Sequence, residues 1–244
     1  MNLLEIRQQF INESGRHDLV TDIDTYADNG ADFYLNAGQR LLDRLDQTHK
    51  SSARIFRLTA IGDYGATFPS CRSVQEIWVG DLTARVKIRK VSMQDLRSYY
   101  FSAPLNMITR STPTIWSPTW TRTAPDRITA ADFHAYAGYA DVPVGETARQ
   151  IYNGVLWMPP AEREYQIEIV GLFYTADLSA DDHLSYWSEV HPELLVMAAM
   201  AVLEITYRNR QGYNDWMTAI NNYMMTIGFD LVEEEISDVD EMED

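Results

Sequence analysis

His191-Pro192-Glu193-Leu194-Leu195-Val196-Met197-Ala198-Ala199-Met200-Ala201-Val202-Leu203-Glu204 reads as a helix that is apolar on every side between two acids. Proline suits the first turn, where its missing N–H would have had no partner, and Glu193 sits at the positive end of the helix dipole. The pattern predicts a helix to about Arg208, buried on most sides and stopped by Gly212. The apolar run from Leu194 to Leu203 is about half of the ~20 residues that a membrane span needs. Small Ala198, Ala199 and Ala201 among large Leu and Met fit a core helix, or else packing between helices of adjacent subunits.

Downstream, a last helix is predicted from near Asn214, through Trp216, Ile220, Tyr223 and Met224, to Gly228. Upstream, Ser179 caps a short turn through Asp181-Asp182. At the other end, Leu3, Ile6 and Phe10 share a helical face flanked by Leu4 and Ile11, and Gly15 suits a left-handed cap. Asp18 to Tyr26 reads as a loop. A second helix from about Asp28 to Gln47 has Phe33, Leu35, Ala37, Leu41, Leu42 and Leu45 inside and Asp43, Arg44 and Asp46 in water.

Between these ends the period changes to alternation. Ala53 to Ile61 reads as a strand, and Val74–Val79 with Thr83–Val91 as a hairpin around Gly80-Asp81. Ser92 and Asp95 mark a capping box for a helix from Met93 to Tyr100. Ser102 to Pro125, rich in Pro, Thr and Trp, reads as short edge strands and loops. Strands follow at Ile128–Tyr136, Ile151–Trp157 and Tyr165–Tyr174, the last two forming a second hairpin around Met158-Pro159-Pro160. The expectation is therefore an α+β fold: a helical bundle of N- and C-terminal helices (1–52 and 175–229), an inserted β-rich hairpin region (53–174) and an acidic tail (230–244).

The 244 residues carry 20 Lys+Arg against 36 Asp+Glu, a net charge of -16. Gripping nucleic acid needs a basic surface that neutralises phosphate, so that role is disfavoured, as is binding to anionic membrane. One cysteine excludes an intrachain disulfide and a multi-cysteine metal site, and fits synthesis in a reducing cytoplasm. The opening Met1 to Arg7 meets a charge too early for a signal peptide's apolar stretch.

Catalytic patterns are sparse. G-x-S-x-G, the P-loop, G-x-G-x-x-G and H-x-x-x-H are all missing from the sequence. Asp181-Asp182-His183 could contribute to a metal site in an intracellular hydrolase, but a solvated turn explains it as well. Cys71 beside Arg72 could have a lowered pKa, and Glu162 and Glu164 could pair, although they flank a turn. The favoured expectation is a protein without catalysis, cofactor or metal.

Two features suit docking instead. Residues 230–244 hold nine of the acids and no base, leaving -7 of the -16 for the rest. Within that segment Leu231, Val232, Ile236, Val239 and Met242 recur at near-helical spacing, which a merely solubilising end does not need. Five of the 20 bases lie between Arg72 and Lys90, and Arg85, Lys87 and Arg89 alternate with Val86 and Ile88. They make a candidate basic docking face for an acidic neighbour.

Longer blocks carry a family likeness. Met1-Asn2-Leu3-Leu4-Glu5-Ile6-Arg7-Gln8-Gln9-Phe10, Ser14-Gly15-Arg16, Asp18-Leu19-Val20 and the stretch from Asp28 to Asp43 belong to it at one end. At the other are Gly171-Leu172-Phe173-Tyr174, Leu178-Ser179-Ala180-Asp181-Asp182, Trp187 to Leu195, Glu204, Tyr207-Arg208-Asn209, Asn214-Asp215-Trp216 and Asp230 to Ile236 with Asp238-Val239-Asp240. In order and spacing this set resembles the podovirus-like head-to-tail adaptor (connector) proteins of tailed bacteriophages, most weakly from Ser102 to Glu146.

The resemblance implies a virion structural protein at the head–tail junction, made in the host cytoplasm. It would form a homo-oligomeric ring, commonly of twelve copies, between the portal protein and the tail nozzle or tube protein. DNA would be passing cargo, which suits an acidic lumen. The tail would dock along the portal or a neighbour, with Leu231, Val232, Ile236 and Val239 as anchors and Glu233, Glu234 and Glu235 pairing to Lys or Arg. A tail nozzle or tube component is the alternative with the same partners.

Overall fold

In the computed structural model the Asn2 side chain accepts the Glu5 N–H at 2.9 Å while the Glu5 carboxylate accepts the Asn2 N–H at 3.0 Å. This reciprocal cap starts α1 (Leu3–Ser14), which ends on Gly15 at φ 67, a backbone conformation that costs glycine nothing. Leu3, Ile6, Phe10 and Ile11 are fully buried. The Asp28 carboxylate accepts the N–H groups of Gly30 and Asp32 and so starts α2 (Ala31–Leu45). The structure describes residues 1–46, 52–67, 71–81, 83–100, 108–122 and 150–240.

The later helices are α4 (Tyr186–Val190), α5 (Pro192–Thr206) and α6 (Arg210–Asp240), after α3 (Met93–Tyr100) in the β-rich part. The apolar run of α5 is buried by its own chain: Leu194, Leu195, Ala198, Ala199 and Ala201 are inaccessible to solvent. Its small residues serve contact with α2, where a Cβ on Gly38 would lie 2.8 Å from the Ala199 nitrogen. These small residues are therefore used for packing inside one chain, whereas Val202 at the far end of the run is only partly buried.

Two predicted stops differ. α5 ends at Thr206, and the reversal is made by Arg208 in the left-handed region at φ 63. The Asn209 side chain then accepts the Gly212 N–H, so Gly212 lies in the first turn of α6 rather than ending α5. Gly228 is likewise interior, and the helix that carries Trp216 and Ile220 continues to Asp240 without a break.

The chain is mixed α+β and divides into two units, Met1–Ser51 with Tyr174–Asp244, and Ser52–Phe173. In the first, α1, α2, α5 and α6 share one apolar core with Leu178 and Trp187. In the second, β1 (Ser52–Leu58), β2 (Gly65–Thr67), β3 (Cys71–Gly80), β4 (Arg85–Lys87), β5 (Arg89–Lys90), β6 (Ile115–Arg122), β7 (Gln150–Met158) and β8 (Gln166–Phe173) build two four-stranded sheets. Their orders are β1-β8-β3-β4 and β2-β7-β6-β5. Ile77, Val79, Ile167 and Ile169 of one sheet and Trp116, Val155 and Trp157 of the other share a single core.

The β3–β4 hairpin forms around Gly80-Asp81 as read, with Asp81 Oδ1 accepting the N–H groups of Thr83 and Ala84. The second predicted hairpin does not form. β7 pairs with β2 and β6, whereas β8 pairs with β1 and β3. The connection between them is held by the 59–63 turn, since Ala161 N–H bonds the Asp63 carbonyl and Tyr165 N–H bonds Thr59 Oγ1. These bonds carry the chain from one sheet to the other. β6 is an inner strand with proline at position 118. Among the described residues β5 covers only Ile115 and Trp116 of it, so the missing N–H of Pro118 leaves no ladder bond to β5 unmade. The expected strand at Ile128–Tyr136 lies outside the described residues.

Candidate functional site

The candidate basic face is split by the fold. Ile88 is buried, its N–H bonds the Ile77 carbonyl, and the next N–H, of Arg89, bonds the Thr114 carbonyl. The chain changes sheets at that residue, so β4 takes Arg85 and Lys87 while β5 takes Arg89 to the other sheet. Arg85 is ion-paired to the buried Glu168, which Arg54 also approaches at 3.6 Å, and Lys87 is paired to Glu76. The bond from Lys87, helped by one from Trp78 Nε1, holds the Glu76 carboxyl below its ordinary range. Two of the three bases are therefore neutralised within their own sheet. Arg89 lines a cleft of about 830 Å³ with Lys90, Ser92 and Asp95. Ser92 and Asp95 there are already bonded to each other across the N-terminus of α3.

The acidic candidates Leu231, Val232, Glu233, Glu234, Glu235, Ile236 and Val239 all lie on the last turns of α6, and their side chains are outside the described part of the structure. What the backbone adds is continuity. One helix carries Ile220, fully buried in the helical core, and the acidic stretch to Asp240, so the tail is no separate segment.

The residues of the hydrolase reading have structural duties. Burial works against the charge on Arg7, but Asp32 and Asp181 more than offset it and raise its pKa above the usual arginine value. Arg7 Nε donates to Asp32 at 2.7 Å and Arg7 Nη1 lies 2.9 Å from Asp181. The carbonyls of Asp181 and His183 accept the N–H groups of Leu4 and Leu3, so this turn closes the start of α1. A cation beside Asp181 would share that carboxylate with a buried guanidinium. Among the described residues no group of three His, Cys, Asp or Glu side chains is placed to hold a metal. Cys71 is buried, and loss of solvent pushes its thiol up to about 11, opposite to the lowering that Arg72 suggested. Glu162 accepts the Tyr165 hydroxyl at 2.9 Å. Among the described residues no helix is long and apolar enough to cross a membrane.

A surface that sequence reasoning missed lies on α2. Phe33, placed inside by residue type, is 65% exposed, while Asp43 and Asp46, placed in water, are buried. Asp43 accepts Trp187 Nε1 and the N–H and hydroxyl of Thr175, each at 2.8 Å. This fixes the inner face of α2, and the outer side of the helix then borders a groove of about 460 Å³ lined by Phe33, Ala37, Leu41, Val202, Arg40 and Arg44. Arg40 pairs with Asp177 at 2.6 Å, both side chains about half exposed, and Arg44 Nε donates to the Tyr174 hydroxyl. The signal was available in the spacing of Leu35, Gln39, Leu42, Asp43 and Asp46, which recur at one helical face.

Comparison with family models and with curated proteins finds no match for this chain.

Proposed function

We propose that the chain is a head-to-tail adaptor of a tailed bacteriophage virion: a ring subunit that joins portal to tail nozzle or tube and surrounds the DNA passage, without catalysis. One observation carries the reading. The sequence blocks that resemble phage adaptors lie at opposite ends of the chain, and nearly all of them fall in one structural unit, Met1–Ser51 with Tyr174–Asp244. The β-rich unit Ser52–Phe173 is then an insertion between the halves of a helical body. An insertion of this kind gives a ring subunit a second surface, so portal and tail can be met by different parts. The acidic end of α6 is the segment assigned to docking.

The test is mass photometry of the purified chain with the portal protein of the same phage, repeated with residues 230–244 deleted. Multi-copy addition of the intact chain to portal is the expected result, reduced or lost on deletion. Failure of both forms to bind portal overturns the adaptor reading. Binding to isolated nozzle but not to portal would place the chain in the tail itself.

A further inference from the structure

We propose that the α2–α5 groove receives the acidic end of α6 from a second copy of this chain, so that copies join head to tail. The groove has an apolar floor, with Phe33, Ala37 and Leu41 spaced four residues apart on α2 and Val202 opposite on α5. Arg40, Arg44 and Asp177 also line it, and although Arg40 is paired with Asp177, the two bases against one acid leave this edge of the groove net positive. The proposed occupant has the complementary pattern. Phe229, Val232, Ile236 and Val239 repeat every three or four residues along α6, with Glu233, Glu234 and Glu235 between them. Val232 to Val239 spans about 10 Å of helix and Phe33 to Leu41 about 12 Å, at 1.5 Å per residue. The lengths match for side-by-side packing of two helices.

The chain's own tail cannot fill its own groove. The His191 and Tyr223 rings lie 5.9 Å apart, which sets the N-terminus of α5 level with Tyr223 of α6. From that level α5 runs about 16 Å to Val202, while α6 runs about 13 Å the other way to Val232. Because α6 is unbroken to Asp240, the acidic stretch leads away from Val202. A contact between unlike surfaces of identical copies propagates, and it closes into a ring when the rotation per copy permits. This deepens the proposed adaptor reading by naming a contact between neighbours, but it needs no portal and can fail separately.

The test places a photoreactive phenylalanine analogue at Phe33 in the full-length chain. Isotopically light and heavy copies are mixed, irradiated alone at high concentration and on portal, and digested. Crosslinks from position 33 to peptides covering 229–240 of the other isotope support the proposal, and their absence in both settings overturns it even where the chain still joins portal. A charge exchange gives the second readout. Arg40→Glu with Arg44→Glu should weaken self-association about tenfold, from two exposed pairs turned repulsive. Glu233→Lys with Glu235→Lys, the two acids that flank the apolar stripe at about 100° per residue, should do the same, and mixing the two variants should restore hetero-pairs. Both changes are on exposed or terminal positions, and circular dichroism will check folding. Equal association of all four forms would also overturn the proposal.

Discussion

Asp43 shows how much a single polar side chain can hold in the helical core. Its carboxylate is the acceptor for Trp187 Nε1 and for both donors of Thr175, and it joins α2 to the segment that enters α4. A buried donor left unpaired costs about 1–3 kcal/mol. Asp43→Ala should therefore destabilise the chain by about 3 kcal/mol in urea unfolding followed by tryptophan fluorescence, and Asp43→Asn, which keeps one acceptor oxygen, by about half of that. Asp81 is the counterpart on the surface. The hydroxyl and N–H of Thr83 and the N–H of Ala84 lower its pKa from 3.8 to about 2. A carboxyl depressed on folding stabilises the native turn above its unfolded pKa and loses that contribution as pH falls through the folded value. The β3–β4 turn should therefore loosen between pH 3.8 and about 2, with an NMR titration midpoint for the Asp81 carboxyl near the lower figure. A midpoint at the ordinary value would mean that these bonds are not kept in solution.

Helix ends separate what the sequence could tell from what it could not. Gly15 caps α1 and Pro192 opens α5 as read, because both act through their own backbone geometry. Gly212 and Gly228 carried the same signal and stop nothing, because glycine permits a left-handed turn without requiring one. The reversal before α6 falls instead on Arg208, a residue type with no such preference. The same limit applies to α2, where residue type put Phe33 inside and Asp43 outside while the helical period, fixed by the bonds to Trp187 and Thr175, does the reverse. Strand partners were the least legible, since Ile151–Trp157 and Tyr165–Tyr174 look like hairpin arms and are sent to different sheets by bonds from the remote 59–63 turn. The continuity of α6 has a direct check. Glycine inside a helix costs about 1 kcal/mol relative to alanine, so Gly228→Ala should raise the far-UV helix signal and increase stability by up to that amount. A helix that ended at Gly228 in a left-handed cap would instead be destabilised by the methyl group.

Net charge and the proposed docking contact would pull in opposite directions between copies of the chain. Each chain carries -16, with nine acids in residues 230–244 and -7 on the remainder. Repulsion between copies acts at long range and is screened as the Debye length shrinks from about 30 Å at 0.01 M salt to about 8 Å at 0.15 M. Pairs between Glu233–Glu235 and Arg40 or Arg44 would act at contact distance, and these survive moderate salt but weaken near 1 M, where the Debye length is about 3 Å. Self-association of the intact chain should accordingly be lowest at very low salt, rise toward 0.15 M and fall again toward 1 M. Deleting residues 230–244 separates the two effects. It removes more than half of the net charge, so if repulsion alone governed encounters, the truncated chain would associate more strongly at every salt concentration. If the tail is the docking element, the truncated chain associates less despite carrying less charge, and the maximum at intermediate salt disappears. Sedimentation velocity across that salt series on the two forms distinguishes them, and stronger association of the truncated form would leave the tail with a solubilising role only.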